Sequence, residues 1–413
     1  MDEDIPDAER CVKCGHRASI NCHLCEDAPV YQDDEPSELV YCGDQCLEEH
    51  LPIHAAACEL RRKRMALDRA AYILRDLFLQ FRKVLFGAPV IGTEITDNEL
   101  RLIVDVASRP LTPWYHAWPD YLLSTETSYR RGALSTNQCN SAVSFCSPLF
   151  HLVFEDLVKE KEIFVLELTP TRNTRLYFPD GTAVQSEGGR PWHTIIVVTL
   201  DNEERWVIDL TGNQFGFKDY FVPEQKYMSD HGCTVVNGPY PYSDNMMHDL
   251  DHDHFSPDQV GYEMYKQRCT HERAGRTYLE KYLFRELCRE ESPYYLKSLV
   301  SIDNDWAAKH AQLVSHIYQC MKLFLSFADG KLDPSDINRE DSDDESYHDE
   351  NHDGENHDGE NHDGENHHDE DHHDEDHHDE DHRDEDNHDE NNHDENHQDE
   401  NHNDENHHDE NQG

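Results

Sequence analysis

The strongest constraint on this chain is a cluster of cysteine and histidine residues within its first 58 positions. Seven of the thirteen cysteines lie there, and most of them form pairs with two or three residues between the partners. Such pairs let a tight turn present two thiolates to one tetrahedral ion. The eight candidate ligands are Cys11, Cys14, Cys22, Cys25, Cys42, Cys46, His54 and Cys58. Eight ligands predict two structural zinc ions.

The compartment determines whether these thiols stay reduced. The N-terminal stretch MDEDIPDAER is acidic and does not resemble a targeting peptide, which has a basic start and an apolar stretch. No apolar run approaches the roughly 18 residues that a membrane span needs. We therefore expect an intracellular protein of the nucleus or cytoplasm, with no membrane association. In that compartment clustered cysteines more often bind metal than form disulfides.

The choice of the histidine ligand depends on where a helix begins. Pro52 is tolerated in the first turn of a helix, so the sequence predicts a helix that starts near Leu51. That helix places His54 and Cys58, four residues apart, on one face. His50 would lie just before the helix, and His54 is therefore the predicted ligand.

This N-terminal pattern resembles the MYND-type zinc finger. The resemblance rests on the order of the cysteines, on Tyr41 as the aromatic residue before the fifth cysteine, and on the final histidine and cysteine. It implies two interleaved zinc sites and a protein partner. The implied ligand sets are Cys11, Cys14, Cys42 and Cys46 for one ion, and Cys22, Cys25, His54 and Cys58 for the other.

The charge of this segment argues against a nucleic-acid ligand. The first 60 residues contain fifteen acidic and three basic side chains, whereas a nucleic-acid interface needs a cationic surface. Protein recognition is the main expectation for the finger. A finger that only covers the neighbouring part of the chain is the alternative.

The C-terminal end has a repetitive composition. From Asn351 to Glu410 a five-residue unit recurs twelve times with almost no apolar side chains, so residues 331–413 are predicted to be a disordered tail. From Asp341 onward, 34 acidic residues and one arginine contribute −33 to the net charge of −52. Its seventeen histidines could bind divalent metal weakly or titrate near pH 6, and a solvated repulsive tail is the alternative.

Between these ends the sequence pattern changes twice. Residues 61–88 have apolar side chains at helical spacing and predict a connecting helix. Residues 89–256 contain four β-branched and aromatic stretches, EIFVLELT, NTRLYF, HTIIVVTL and RWVIDLTG, and predict an α+β central domain with an antiparallel sheet. Helical period returns in residues 257–330. The predicted fold is multidomain, with a zinc-bound finger at residues 1–60 and a disordered acidic tail.

One group of residues in the central region could do chemistry. Cys139 follows Ser, Thr and Asn candidates for a helix N-cap, and a helix N-terminus lowers the pKa of a thiol. His193 heads an apolar strand, and Asp209 closes the next one. A thiol nucleophile needs a base, and the base needs a partner that fixes its tautomer. These three residues are candidates for those roles, and Gln138 or a helix amide could stabilise an oxyanion.

In order and setting, residues 132–216 resemble the core of transglutaminase-like and papain-like thiol enzymes. The resemblance implies a thiol transferase or hydrolase. A catalytically silent relative of that fold and an unrelated α+β domain remain open alternatives. The main functional expectation is a zinc protein that acts in protein–protein interaction or scaffolding, and the thiol enzyme is the second hypothesis.

The register of the predicted hairpin discriminates between these readings. If Leu200 faces Arg205, the side chains of His193 and Asp209 point to opposite faces of the sheet. A three-residue loop that sets His193 directly opposite Asp209 would place both on one face. The triad therefore requires such a shift, or a bulge.

Overall fold

The structure is a computed structural model that describes residues 10–23, 26–33, 35, 39–87, 90–96, 99–105, 118, 122, 126–154, 156–169, 173–184, 190–242, 262–301 and 305–328, the side chains at 151 and 262–268 excepted. Cys25 and the predicted tail, residues 331–413, lie outside the described residues. The described residues fall within one compact unit. The domain boundaries at residues 60, 88 and 256 therefore remain predictions.

Within the described residues, helices are combined with three sheets, of two, three and five strands. The strands are β1 Ile20–Asn21, β2 Val40–Tyr41, β3 Val90–Ile95, β4 Glu99–Val104, β5 Glu160–Glu167, β6 Asn173–Tyr177, β7 Trp192–Thr199, β8 Arg205–Ile208, β9 Phe221–Pro223 and β10 Thr234–Pro241. The helices are α1 Asp44–Val84, α2 Thr127–Ser135, α3 Cys139–Phe154, α4 Glu224–His231, α5 Tyr262–Cys288, α6 Leu296–Val300 and α7 Trp306–Ala328. The expected mixture of helices and antiparallel sheet is confirmed.

Helix α1 is longer than predicted. It begins at Asp44, so the predicted start near Leu51 is wrong, and Pro52 lies inside the helix. A proline removes one backbone hydrogen bond of a helix. The helix is favoured upstream of the proline because Asp44 in its first turn complements the helix dipole. One helix therefore runs from the predicted finger through the predicted connecting segment.

The larger sheet is antiparallel and has the strand order β10-β5-β7-β8-β9. Its β7–β8 hairpin pairs Thr199 with Arg205, and the Leu200 N–H donates to the Glu204 carbonyl oxygen at 2.9 Å. Glu203 has a φ of 67°, the left-handed conformation typical of a three-residue hairpin loop. The register therefore differs from both registers considered from the sequence.

A second sheet of three strands was not predicted as a separate unit. Strand β4 pairs antiparallel with β3 and parallel with β6. The NTRLYF stretch therefore forms a strand, as predicted, but pairs outside the larger sheet. The central region consequently contains a parallel pair that the prediction of an antiparallel sheet did not include.

The two faces of the larger sheet are covered by different elements. Helices α1 and α3 and the C-terminal helices α5, α6 and α7 share one core with the face that carries Ile196 and Val198. The opposite face carries Ile195 and Val207 and packs with Tyr227 of α4. Among the described residues, no helix is both long and apolar enough to cross a membrane.

Candidate functional site

The first candidate metal centre is formed by Cys11, Cys14, Cys42 and Cys46. Their sulfur atoms lie within 4.8 Å of one another. The Sγ of Cys42 is 3.5 Å from the Sγ of Cys14 and 3.5 Å from that of Cys46. Ligands at about 2.3 Å from a tetrahedral zinc ion are separated by about 3.8 Å. The four thiols therefore have the spacing of a four-coordinate metal site.

The electrostatics of this group favour a bound cation. Hydrogen bonds from the backbone and ring of His16 lower the pKa of Cys14 to about 6. The hydrogen bond with Cys42, followed by burial and the other thiols, raises the pKa of Cys46 to about 12. The neighbouring thiols therefore oppose the ionisation of Cys46. A divalent ion removes that opposition, because it binds the deprotonated form of each ligand.

The second candidate metal centre contains Cys22, His54 and Cys58. All three side chains are buried, their ligand atoms lie within 4.8 Å of one another, and the two sulfurs are 3.9 Å apart. Burial, followed by the charge of nearby cationic groups, lowers the pKa of His54. The imidazole is therefore neutral near pH 7, which is the form that binds metal. Cys25, the predicted fourth ligand, lies outside the described residues.

The structure places His54 in this group for a different reason from the predicted one. His50 is also part of α1, because the helix begins at Asp44. Its Nδ1 atom lies 3.0 Å from the hydroxyl of Tyr41, and Tyr41 is fully buried. His50 is therefore engaged by the aromatic residue that precedes the fifth cysteine.

The loop between the metal ligands contacts the larger sheet. Arg64 of α1 donates from Nη1 to Glu35 at 2.7 Å and from Nε to Glu204 at 2.8 Å. The ring of Tyr31 lies 5.4 Å from the ring of Trp206. Glu204 and Trp206 belong to the β7–β8 hairpin. A buried ion-pair network therefore joins the N-terminal segment, residues 10–58, to that hairpin.

The Cys139 thiol lies at the N-terminus of α3, as the N-cap pattern predicted. Asn137, two residues earlier, has a φ of 56°, and its N–H donates to Gln214 Oε1 at 2.9 Å. This hydrogen bond holds the turn between α2 and α3. Cys139 is partly accessible, whereas Cys146 on the same helix has no exposed surface.

His193 and Asp209 are in direct contact. The Nε2 atom of His193 is 2.9 Å from Oδ1 of Asp209, and both side chains are fully buried. Val197 pairs with Val207 in the hairpin. Strand alternation from that pair places His193 and Asp209 on the same face of the sheet. The observed register thus brings together two residues that the Leu200–Arg205 register would have separated.

The carboxylate of Asp209 is held by further groups. The hydroxyl of Tyr227 donates to Oδ2 at 2.7 Å, and the N–H of Thr211 donates to Oδ1 at 3.0 Å. A Cβ atom at Gly212 would lie 2.2 Å from Oδ2. A side chain at position 212 would therefore displace the carboxylate.

The protonation of the three residues is coupled. Burial opposes ionisation of Cys139, but His193 and the backbone and hydroxyl of Thr194 outweigh it, so the pKa of the thiol is lowered. Burial likewise opposes protonation of His193, but Asp209 and Cys139 raise its pKa to about 9. Burial opposes ionisation of Asp209, but His193 and Tyr227 lower its pKa. These directions favour a thiolate and an imidazolium at neutral pH.

The sequence did not identify several residues that complete this arrangement. Tyr227, Thr194 and Gln214 were missed, because nothing in their local patterns marks them. Gly212 lies in the predicted strand ending IDLTG, and this glycine is the one local signal of a close approach. Comparisons with protein-family models, with curated proteins and with solved structures found no match.

Proposed function

We propose that this protein is a thiol-dependent acyl transferase or hydrolase, with Cys139 as nucleophile, His193 as base and acid, and Asp209 as orienting residue. The observation that carries the proposal is the 2.9 Å contact between fully buried His193 and Asp209 side chains, beside a helix N-terminal thiol whose pKa His193 lowers. The weak resemblance to transglutaminase-like and papain-like enzymes points to the same chemistry.

The reaction begins on an acyl donor. The Cys139 thiolate attacks the carbonyl carbon and forms a C–S bond, and the electron pair of the C=O bond moves to oxygen. When the carbonyl reforms, the bond to the leaving group breaks, and the imidazolium of His193 gives its proton to that group. An acceptor, water or an amine, then attacks the thioester and transfers a proton to His193. Cleavage of the C–S bond regenerates the thiolate.

The surroundings support two further roles. The first-turn amides of α3 have no intrahelical partners and would stabilise the tetrahedral oxyanion. Gln138 is buried directly before Cys139 and would contribute to the same site. Asp209 acts on His193, because its Oδ1 contact fixes the orientation of the ring.

Alkylation by iodoacetamide at pH 6 tests the nucleophile. We expect Cys139 to react about 100-fold faster than Cys288, an exposed thiol outside the proposed site. His193→Ala should remove most of this difference, and Asp209→Asn should remove less. Peptide mass spectrometry measures each rate. Equal rates at Cys139 and Cys288 would contradict the proposal. Cys146 is unsuitable as the control, because it is inaccessible.

Acyl transfer is tested separately with p-nitrophenyl acetate. We expect a burst of one nitrophenolate per chain and an acetyl group on Cys139, both absent from Cys139→Ala. A reactive thiol that never forms or never releases the acetyl group would identify a catalytically silent relative instead.

We propose that the two metal centres are zinc sites of a MYND-type finger that binds a protein partner. The partner surface is supported by exposed apolar side chains on the first turns of α1, where Ile53 is 73 % and Leu51 40 % exposed. Ile53→Asp should abolish partner binding in cross-linking experiments and leave two zinc ions per chain. Partner binding that survives this substitution would leave the finger as a structural cover for its neighbour.

A further inference from the structure

Trp192 is the single tryptophan among the exposed large apolar side chains of the described residues. It is 64 % exposed and directly precedes the buried His193 in β7. An isolated exposed apolar side chain needs no special explanation. The position of this indole relative to Cys139 makes it informative.

Strand geometry places Trp192 on the face of β7 that meets the start of α3. The hydroxyl of Thr194 donates to Asn140 Oδ1 at 2.6 Å, and Asn140 directly follows Cys139 at the start of α3. Trp192 lies two residues before Thr194, so both side chains project from the same face, about 7 Å apart along the strand. The indole therefore projects from the face of β7 that meets the first turn of α3, and the partly accessible Cys139 is the first residue of that helix.

The charged groups beside the indole offset each other. Glu167 pairs with Trp192 across β5 and β7. The Nη1 atom of Arg190 is 3.8 Å from Oε2 of Glu167, and both side chains are exposed. The surface around Trp192 thus combines a flat apolar side chain with a neutralised ion pair. This surface favours a substrate group that is uncharged and apolar over a charged group.

We propose that Trp192 is a substrate-binding residue that selects acyl donors whose acyl group carries an aromatic or similarly flat apolar substituent. The inference rests on the proposed function of Cys139. Stacking of such a substituent on the indole removes apolar surface of both from water and positions the carbonyl carbon over the sulfur. A plain acetyl group cannot make this contact.

Two esters with the same leaving group test the proposal. The acylation rates of Cys139 by p-nitrophenyl phenylacetate and p-nitrophenyl acetate are each divided by the rate of the same ester with glutathione. We expect the full-length protein to prefer the phenylacetyl donor about tenfold. Trp192→Ala should abolish the preference, and Trp192→Phe should retain most of it. Ile91→Ala, at a 55 % exposed position of β3, is the matched control and should change nothing.

The outcomes separate the two proposals. Failure of both esters to acylate Cys139 would overturn the proposed function. Acylation with no phenylacetyl preference, or with a preference that Trp192→Ala retains, would overturn the role of Trp192 and leave the function intact. The iodoacetamide rate of Cys139 should be the same in Trp192→Ala and the wild type. A parallel loss of that rate would show that the indole only supports the local structure.

Discussion

The protein uses cysteine and histidine in two opposite arrangements. In the N-terminal segment several thiols face one another, with sulfur separations of 3.5 to 3.9 Å. In the central region one thiol, that of Cys139, is influenced by one imidazole, which a carboxylate holds at 2.9 Å. The same residue types therefore surround a common point in one region. In the other region they form a sequence of interactions in which Asp209 contacts His193 and His193 influences Cys139.

The difference shows how each region stabilises negative charge on sulfur. In the cluster the other thiols oppose the ionisation of Cys46, whose pKa is raised to about 12, so a bound cation favours deprotonation of all four thiols together. Cys139 has a cation supplied by the protein, because Asp209 raises the pKa of His193 to about 9. We therefore expect the first arrangement to depend on metal for its stability, and the second to form a thiolate without one.

Removal of metal from the N-terminal cysteine groups should have the largest effect on stability. Structural zinc supplies an apparent free energy of about 10 to 16 kcal/mol at neutral pH. We expect chelation, or Cys22→Ser, to unfold residues 10–58, measured by hydrogen exchange of their backbone amides. Cys288→Ser, which replaces an exposed cysteine outside both groups, should leave exchange unchanged. Unaltered protection after complete metal loss would contradict a structural role for the ions.

A second prediction concerns the ion-pair network between the two regions. Arg64→Met removes the charged partner of the buried carboxylate of Glu204, which should lower the free energy of unfolding by about 3 to 5 kcal/mol. Arg62→Met, at an exposed position on the same helix, should change it by less than about 0.5 kcal/mol. Denaturant titration measures both. Similar losses in the two variants would show that the network contributes no specific stability.

Asp209→Asn should have a smaller effect on the second arrangement, visible in the pH profile of Cys139 alkylation. Removal of the carboxylate lowers the pKa of His193, so the imidazolium is lost at lower pH and stabilises the thiolate less. The profile should therefore move to higher pH, with a rate at pH 6 reduced about tenfold. An unchanged profile would show that Asp209 does not act through His193. The profile of Cys288 in the same samples is the control.

The smallest effect is expected from deletion of residues 341–413. The segment has 17 histidines that could compete for metal, but a polar repeat contributes no core. We expect two metal ions per chain before and after deletion, and a melting temperature unchanged within about two degrees. A lower metal count would assign part of the metal to the tail, and a large loss of stability would show that the tail packs against the remaining chain.

The sequence predicted some features because their signals are local. The strand character of residues 192–199 follows from a β-branched run. The helical spacing in α1 likewise predicted its apolar face, although the start was placed near Leu51. That error arose because a proline usually marks a first turn, whereas here Pro52 lies inside a helix whose apolar face is buried downstream of it.

Spacing identified the candidate ligands, the family resemblance implied the grouping of Cys11, Cys14, Cys42 and Cys46, and the structure brings these four residues together. Close pairs such as Cys11 and Cys14 limit each other's position through a few backbone dihedral angles. The identity of candidate metal ligands could therefore be determined by the sequence itself. In the second group, the three described members Cys22, His54 and Cys58 also come together, as the resemblance implied.

The candidate thiol site depended on tertiary structure. Cys139, His193 and Asp209 could be named from the sequence as residue types in suitable settings, but their contact depends on hairpin register, and a one-residue slip reverses the face of every side chain. The left-handed backbone conformation of Glu203 sets that register. No pattern in the sequence DNEE predicts this conformation. Tyr227, which holds Asp209 from the next helix, comes from a separate element. Tertiary packing alone determines which of these distant groups come into contact. Each contact depends on several helices and strands, and the local sequence of one element does not determine where another element packs.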